Sequence, residues 1–254
     1  MPKSLAGKNA IVTGGSRGIG KAIALELASR GANILITYNA AKEKADEVVK
    51  QIRSLGVEAS ATQATGIDIE APAAVVKAAV QQWKTIDIII NNAGAGDDIL
   101  IADLEIETWS KIFDTNARFP VFLVRASLPH LGPAPRVVNI SSVMSRLGGL
   151  YSCPYTASKA ALEAATKVMA QELGRKYNAT FNCVAPGPTE TDLWAGDAHP
   201  DAVKEWEWRI ENTPCGDRVG KPEEVAGTVA WLCEDGSRWV QGQCVGVNGG
   251  LFMA

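Results

Sequence analysis

Residues Asn9 to Ser29 read NAIVTGGSRGIGKAIALELAS: a short β-branched run, a turn punctuated by glycine, then apolar residues recurring at helical spacing. Strand, glycine turn and helix in that order open a βαβ unit. The glycines Gly14, Gly18 and Gly20 stand in G-x-x-x-G-x-G spacing. They permit a tight turn and close backbone approach, and the helix start offers unpaired N–H groups to a pyrophosphate. Gly14, Ser16, Arg17, Gly18, Ile19 and Gly20 are therefore the first candidate cofactor contacts.

The same alternation runs outward along the chain. Further strands are expected at NILITY, VEASATQA, IDIIIN, RVVNIS, TFNCVA and QCVGVN. Helices are expected at about 19–29, 41–54, 71–83, 105–128, 155–176 and 223–232. IDIIIN is apolar at almost every position, as a strand covered on both faces must be. The fold class is α/β: one doubly wound, Rossmann-like parallel sheet of about seven strands with helices on both faces, residues 1–254 forming a single domain. Only residues 188–222 break the rhythm, as one long irregular excursion expected to act as a substrate lid.

With 254 residues and 46% hydrophobic content the chain can bury a full core. A net charge of −3 leaves no basic footprint for nucleic acid or an anionic membrane. The N-terminus has no apolar signal core and no stretch is long enough to span a bilayer, so a cytoplasmic protein is expected. Five scattered cysteines without C-x-x-C spacing suggest neither disulfides nor a metal site.

Ligands of open α/β sheets bind at the carboxyl ends of the strands, where the glycine turn, Tyr38-Asn39 and the sequence NNAG (Asn91 to Gly94) all fall. A carboxylate at the end of the second strand would hold a ribose 2′-hydroxyl. Tyr38 and Asn39 stand there instead, with Arg17 and Lys42 close in sequence. That pattern favours NADP(H), Arg17 clamping the 2′-phosphate. Small residues such as Ala93 and Gly94, beside Asn91, suit the back of a cofactor cleft.

TGGSRGIG, NNAG, Asn116, Ser142, YTASK and Pro186-Gly187 followed by Thr191 together resemble the short-chain dehydrogenase/reductase family in its compact single-domain form. The resemblance spans essentially the whole chain. It implies a catalytic set of Asn116, Ser142, Tyr155 and Lys159, with Tyr155 and Lys159 also on the cofactor, Lys159 binding the nicotinamide ribose and Asn116 holding a relay water. It further implies that Thr191 hydrogen-bonds the nicotinamide carboxamide, Thr189 being the local competitor. Asp68 resembles the aspartate near the adenine, although ATQATGIDIEAP is about three residues longer than the family pattern.

Tyr155 and Lys159 are four residues apart, hence on one helix face, and the ammonium is expected to lower the phenol's pKa from about 10 towards neutrality, making it a general acid. Ser142 ends its strand placed to hydrogen-bond the carbonyl oxygen as charge develops. Pro120, lacking an N–H, is expected to leave the Asn116 carbonyl open to water.

The substrate side is expected to be lined by Val143, Met144, Tyr151, Cys153, Pro188 and the lid tryptophans Trp194, Trp206 and Trp208. That surface suits a hydrophobic or aromatic small-molecule ketone. The alternatives are a 3-oxoacyl-carrier-protein reductase and a non-redox isomerase or cyclase that retains the cofactor. The family resemblance implies a homotetramer, or failing that a homodimer.

Overall fold

The computed structural model of the protein describes residues 3–191 and 199–253. Strand and helix alternate from the start: β1 (Asn9–Val12), α1 (Gly18–Ser29), β2 (Asn33–Tyr38), α2 (Lys42–Ser54), β3 (Ala59–Gln63), α3 (Ala71–Trp83) and β4 (Ile86–Asn91). Then come α4 (Ile106–Phe113), α5 (Phe119–Ser127), β5 (Leu131–Ile140), α6 (Met144–Leu147), α7 (Cys153–Tyr177), β6 (Thr180–Pro186), α8 (Pro200–Glu211), α9 (Pro222–Leu232) and β7 (Cys244–Val247). All seven strands join one parallel sheet in the order β3-β2-β1-β4-β5-β6-β7. The order reverses between β1 and β4, which opens a crevice at their carboxyl ends.

Strand alternation divides the core in two. Ala10 and Val12 pack with α1, α2 and α9 on one face. Ile11 packs with α3, α5 and α7 on the other. All six residues of β4 are buried, as a strand apolar at almost every position predicts. Each fully buried isoleucine contributes roughly 1.5–3 kcal/mol.

Three expected elements differ. The long helix at 105–128 is interrupted by a π-turn over Asp114–Arg118, where the Phe119 N–H reaches back five residues to the Asp114 carbonyl. β5 begins at Leu131, ahead of RVVNIS, through an irregularity in its pairing with β4. The excursion at 188–222 is not wholly irregular: it carries α8, and its base is closed by a parallel bridge between Thr189 and Gly220.

Candidate active site

The glycine turn is held by β4. The Asn92 amide donates to the carbonyls of Thr13 (2.8 Å) and Gly14 (3.2 Å), and the Thr13 hydroxyl accepts from the N–H groups of Asn92 (2.9 Å) and Ala93 (3.0 Å). Gly14 and Gly18 have φ of +65° and +53°, a region costly for other residues. A Cβ on Gly20 would overlap the Gly14 carbonyl and the Asn92 amide. α1 begins after Arg17, whose side chain makes no cap, and first-turn N–H groups of a helix lack intrahelical partners and suit an anion. Thr191 closes over this turn, its methyl 3.2 Å from where a Gly18 Cβ would stand, whereas the buried Thr189 hydroxyl turns back to the Gly187 carbonyl (2.9 Å). Pro186 and Gly187 end β6 beside it, the Pro186 carbonyl accepting from the Val143 N–H and the Gly187 N–H donating to Val247.

Of the other predicted cofactor residues, Tyr38 is half-buried and Asn39 is exposed at the end of β2. Lys42 is tied to Asp46 (2.6 Å). One side chain differs from expectation. The Asn91 side chain is buried and donates to Asn139 (2.7 Å), because strand register turns it beneath the sheet, away from the cleft; it is the neighbouring Asn92, not anticipated, that does the bracing. Asp68 is exposed, its carboxylate accepting from the Glu70 N–H (2.9 Å) in the loop just before α3.

The four expected catalytic side chains converge across the cleft. Asn116 is fully buried within the π-turn. Its amide accepts from the Ala95 N–H (2.8 Å) and donates to the Ala95 carbonyl (2.8 Å) and the Ser158 hydroxyl (3.0 Å). What Asn116 visibly does is pin the loop after NNAG with its side chain, a contact the sequence did not disclose. A Cβ on Gly94 would stand 3.4 Å from Asn116 Oδ1 and 3.6 Å from Lys159 Nζ, and one on Gly96 3.1 Å from Tyr155 Cδ2. At Gly96 the Tyr155 ring leaves little room for a Cβ, whereas at Gly94 the contacts are ordinary.

Lys159 is 3% exposed and donates to the Ile140 carbonyl (2.7 Å), with Nζ 5.7 Å from the Tyr155 ring centroid. Burial lowers its pKa to about 8. Tyr155 departs from the expected shift. Burial pushes its phenol above the usual tyrosine range, with the nearby Ser142 hydroxyl acting weakly in the opposite direction. Lys159 is not what moves it, since the ammonium is itself poorly solvated and engaged elsewhere.

On the substrate side, Met144, Tyr151, Cys153 and Pro188 are partly accessible, while Val143 is buried beneath its loop. Tyr151 sits at φ +62° and stacks on His199, ring centroids 4.1 Å apart, joining the loop before α7 to the start of α8. Trp206 is 8% exposed and packs inward, whereas Trp208, 67% exposed, faces solvent. Trp194 lies outside the described residues. Among the described residues no cluster of His, Cys, Asp or Glu could hold a metal ion, and no helix is long and apolar enough to cross a membrane.

A parallel sheet with a glycine cradle and a Ser-Tyr-Lys-Asn cluster at its switch point defines a dinucleotide-binding oxidoreductase. A family model described as enoyl-(acyl carrier protein) reductase matches residues 14–252. The chain is 55% identical over 252 residues to the short-chain dehydrogenase/reductase FrzI of Cladobotryum sp, covering 98% of each. It is 36% identical over 248 residues to a 3-oxoacyl-[acyl-carrier-protein] reductase FabG of Staphylococcus aureus, covering 97% of this chain and 98% of that one. A short-chain dehydrogenase from Burkholderia cenocepacia, crystallised in complex with NADP, superposes with a TM-score of 0.90 at 35% identity over 98% and 99% of the two chains. The chain belongs to the short-chain dehydrogenase/reductase family.

Proposed function

We propose that the protein is an NADPH-dependent carbonyl reductase acting on a hydrophobic or aromatic small-molecule ketone, with Tyr155 as general acid. The observation that carries the reading is the convergence of Ser142, Tyr155, Lys159 and Asn116 opposite the glycine cradle. That cradle fits a dinucleotide: a Cβ at Gly14 or Gly18 would intrude on it, and α1 begins at its edge, where first-turn N–H groups can meet a phosphate. Bound there, NADPH would supply the hydride.

The chain's own residues supply the rest. Ser142 and Tyr155 would bind the substrate oxygen between their hydroxyls. A phenol pushed up by burial stays protonated at neutral pH and so is loaded as an acid, which supports the reductive direction. Lys159 stands beside the ring, 5.7 Å from its centroid, where it would hold the nicotinamide ribose, and Asn116 keeps the loop at Ala95 in place behind it. Arg17 and Asn39 at the mouth of the cradle favour a 2′-phosphate over a free ribose hydroxyl.

Met144 and the inward-facing Trp206 give an apolar wall. Around the mouth Asp97, Asp201 and Glu205 are paired with Lys111, Lys204 and Arg209, so these cations are already engaged and give an acidic carrier protein little basic surface to dock on. A small free ketone is therefore favoured over a carrier-bound acyl chain. We further propose a homotetramer in the cytoplasm, the subunits meeting through the helices around α4, α5 and α7, whose outer faces expose Ile106, Trp109, Phe122 and Val168. The test is consumption of NADPH against NADH over cyclic, aryl and 3-oxoacyl ketones. Preference for NADPH with an aryl or cyclic ketone supports the reading; preference for carrier-bound 3-oxoacyl substrates, or for NADH, contradicts it.

A further inference from the structure

α7 carries a buried carboxylate that the chemistry above does not use. Glu163 is 5% exposed, one turn beyond Lys159 and two beyond Tyr155, hence on the same face of the helix. Its Oε1 accepts from the hydroxyls of Ser141 (2.6 Å) and Ser145 (2.5 Å). Its Oε2 accepts from the guanidinium of Arg146, Nε at 2.8 Å and Nη2 at 2.7 Å. Burial alone would push this carboxyl up; the hydrogen bonds from Ser141, Ser145 and Arg146, joined by the Cys244 thiol, overcome it and hold the group ionised.

These donors flank Ser142 on both sides. Ser145 also turns back on that residue: its N–H donates to the Ser142 carbonyl (3.1 Å), and its hydroxyl, whose one proton is shared with Glu163, lies 2.7 Å from the same carbonyl. A buried carboxylate is costly unless its oxygens are satisfied, so the three side chains are drawn to it and the loop has one favourable seat. We propose that Glu163 is a positioning residue for the reaction: it clamps the loop carrying Ser142 to the helix carrying Tyr155 and Lys159, and so fixes the distance between the two hydroxyls that hold the substrate oxygen. Among the described residues the clamp makes no hydrogen bond to the glycine cradle, so it acts on the chemical step and not on cofactor binding. The inference rests on the reductase reading of the cleft.

Glu163→Gln tests it, because the amide can still meet the serines but turns an N–H₂ towards the Arg146 fork. Misplacement of about 1 Å in a catalytic group costs up to ~10²-fold, so kcat is expected to fall by between about 10 and 100-fold with the KM for NADPH within about twofold of wild type. Ser145→Ala, a milder change at a partly exposed site, is expected to lower kcat several-fold and keeps the test open if the first variant does not fold. Hydrogen exchange read by mass spectrometry is expected to speed up in residues 141–148 of both variants but not in 13–20. Unchanged exchange in 141–148 overturns the clamp, as does an unchanged kcat, or a fall in kcat matched by an equal rise in the KM for NADPH. A wild type that turns over no ketone refutes the reductase reading instead, and the exchange data then judge the clamp on their own.

Discussion

At the scale of single residues, the cleft is built around a lysine that folding makes hard to charge. Lys159 is forced from 10.5 to about 8 by burial. A depressed lysine means that the unfolded chain binds more protons between those values, so the penalty is fully present below pH 8 and is relieved as pH rises towards 10.5. About 2.5 pKa units correspond to about 3 kcal/mol. Denaturant titrations of the cofactor-free protein and of Lys159→Met are expected to show the wild type gaining stability relative to the variant across that window; a constant difference would contradict the burial argument. Gly20→Ala belongs to the same scale. Its Cβ has no space against Gly14 and Asn92, and NADPH binding is expected to weaken at least about tenfold, as read by quenching of intrinsic fluorescence. Residue types at this scale were legible in the sequence, since glycines at a turn and a Tyr four residues from a Lys announce their chemistry. Side-chain direction was not. Asn91 and Asn92 are the same residue side by side, and only the register of β4 against β5 sends one under the sheet and the other to the glycine turn.

Among elements, the strands and the flanking helices could be drawn from periodicity because their burial is two-sided and repetitive. The interruption of the long helix at Asp114–Arg118 could not. A π-turn is a local register shift sustained here by tertiary contacts, the Asn116 amide reaching across to Ala95 and Ser158, and Pro120 marks only that something changes nearby. α8 was hidden for a different reason: its polar-rich, tryptophan-bearing sequence is half lid and half surface, so its apolar spacing is weak. Structure distinguishes Trp206 from Trp208 by a rotation about one helix. The clasp between α8 and the loop before α7 is the Tyr151–His199 stack, supported by Glu205 accepting from the Leu150 N–H (3.2 Å). Such a stack contributes about 0.5–1.5 kcal/mol. His199→Ala is therefore expected to raise the KM for the ketone by roughly two- to tenfold, with NADPH affinity unchanged in the same titration. Equal losses in both would show that the lid end belongs to the cofactor site.

For the whole molecule, topology does most of the functional work. Placing β1 and β4 side by side with helices on opposite faces opens the crevice, and the proposed catalytic residues come from the loop after β5, from α7 and from the π-turn between α4 and α5. An apolar stripe on α4, α5 and α7 lies on the outside of the same scaffold, and light scattering is expected to give four copies, reduced by Trp109→Glu to a smaller species. A monomeric wild type would leave that stripe without the assigned partner. The proposed role of Tyr155 as proton donor is separable from dinucleotide binding by the surrounding fold. Tyr155→Phe separates the two functions in one protein. NADPH titration and ketone turnover measured on that variant are expected to give wild-type affinity with kcat down at least ~10²-fold. Retained turnover, or loss of NADPH binding in step with activity, would contradict the assignment of Tyr155 as the acid.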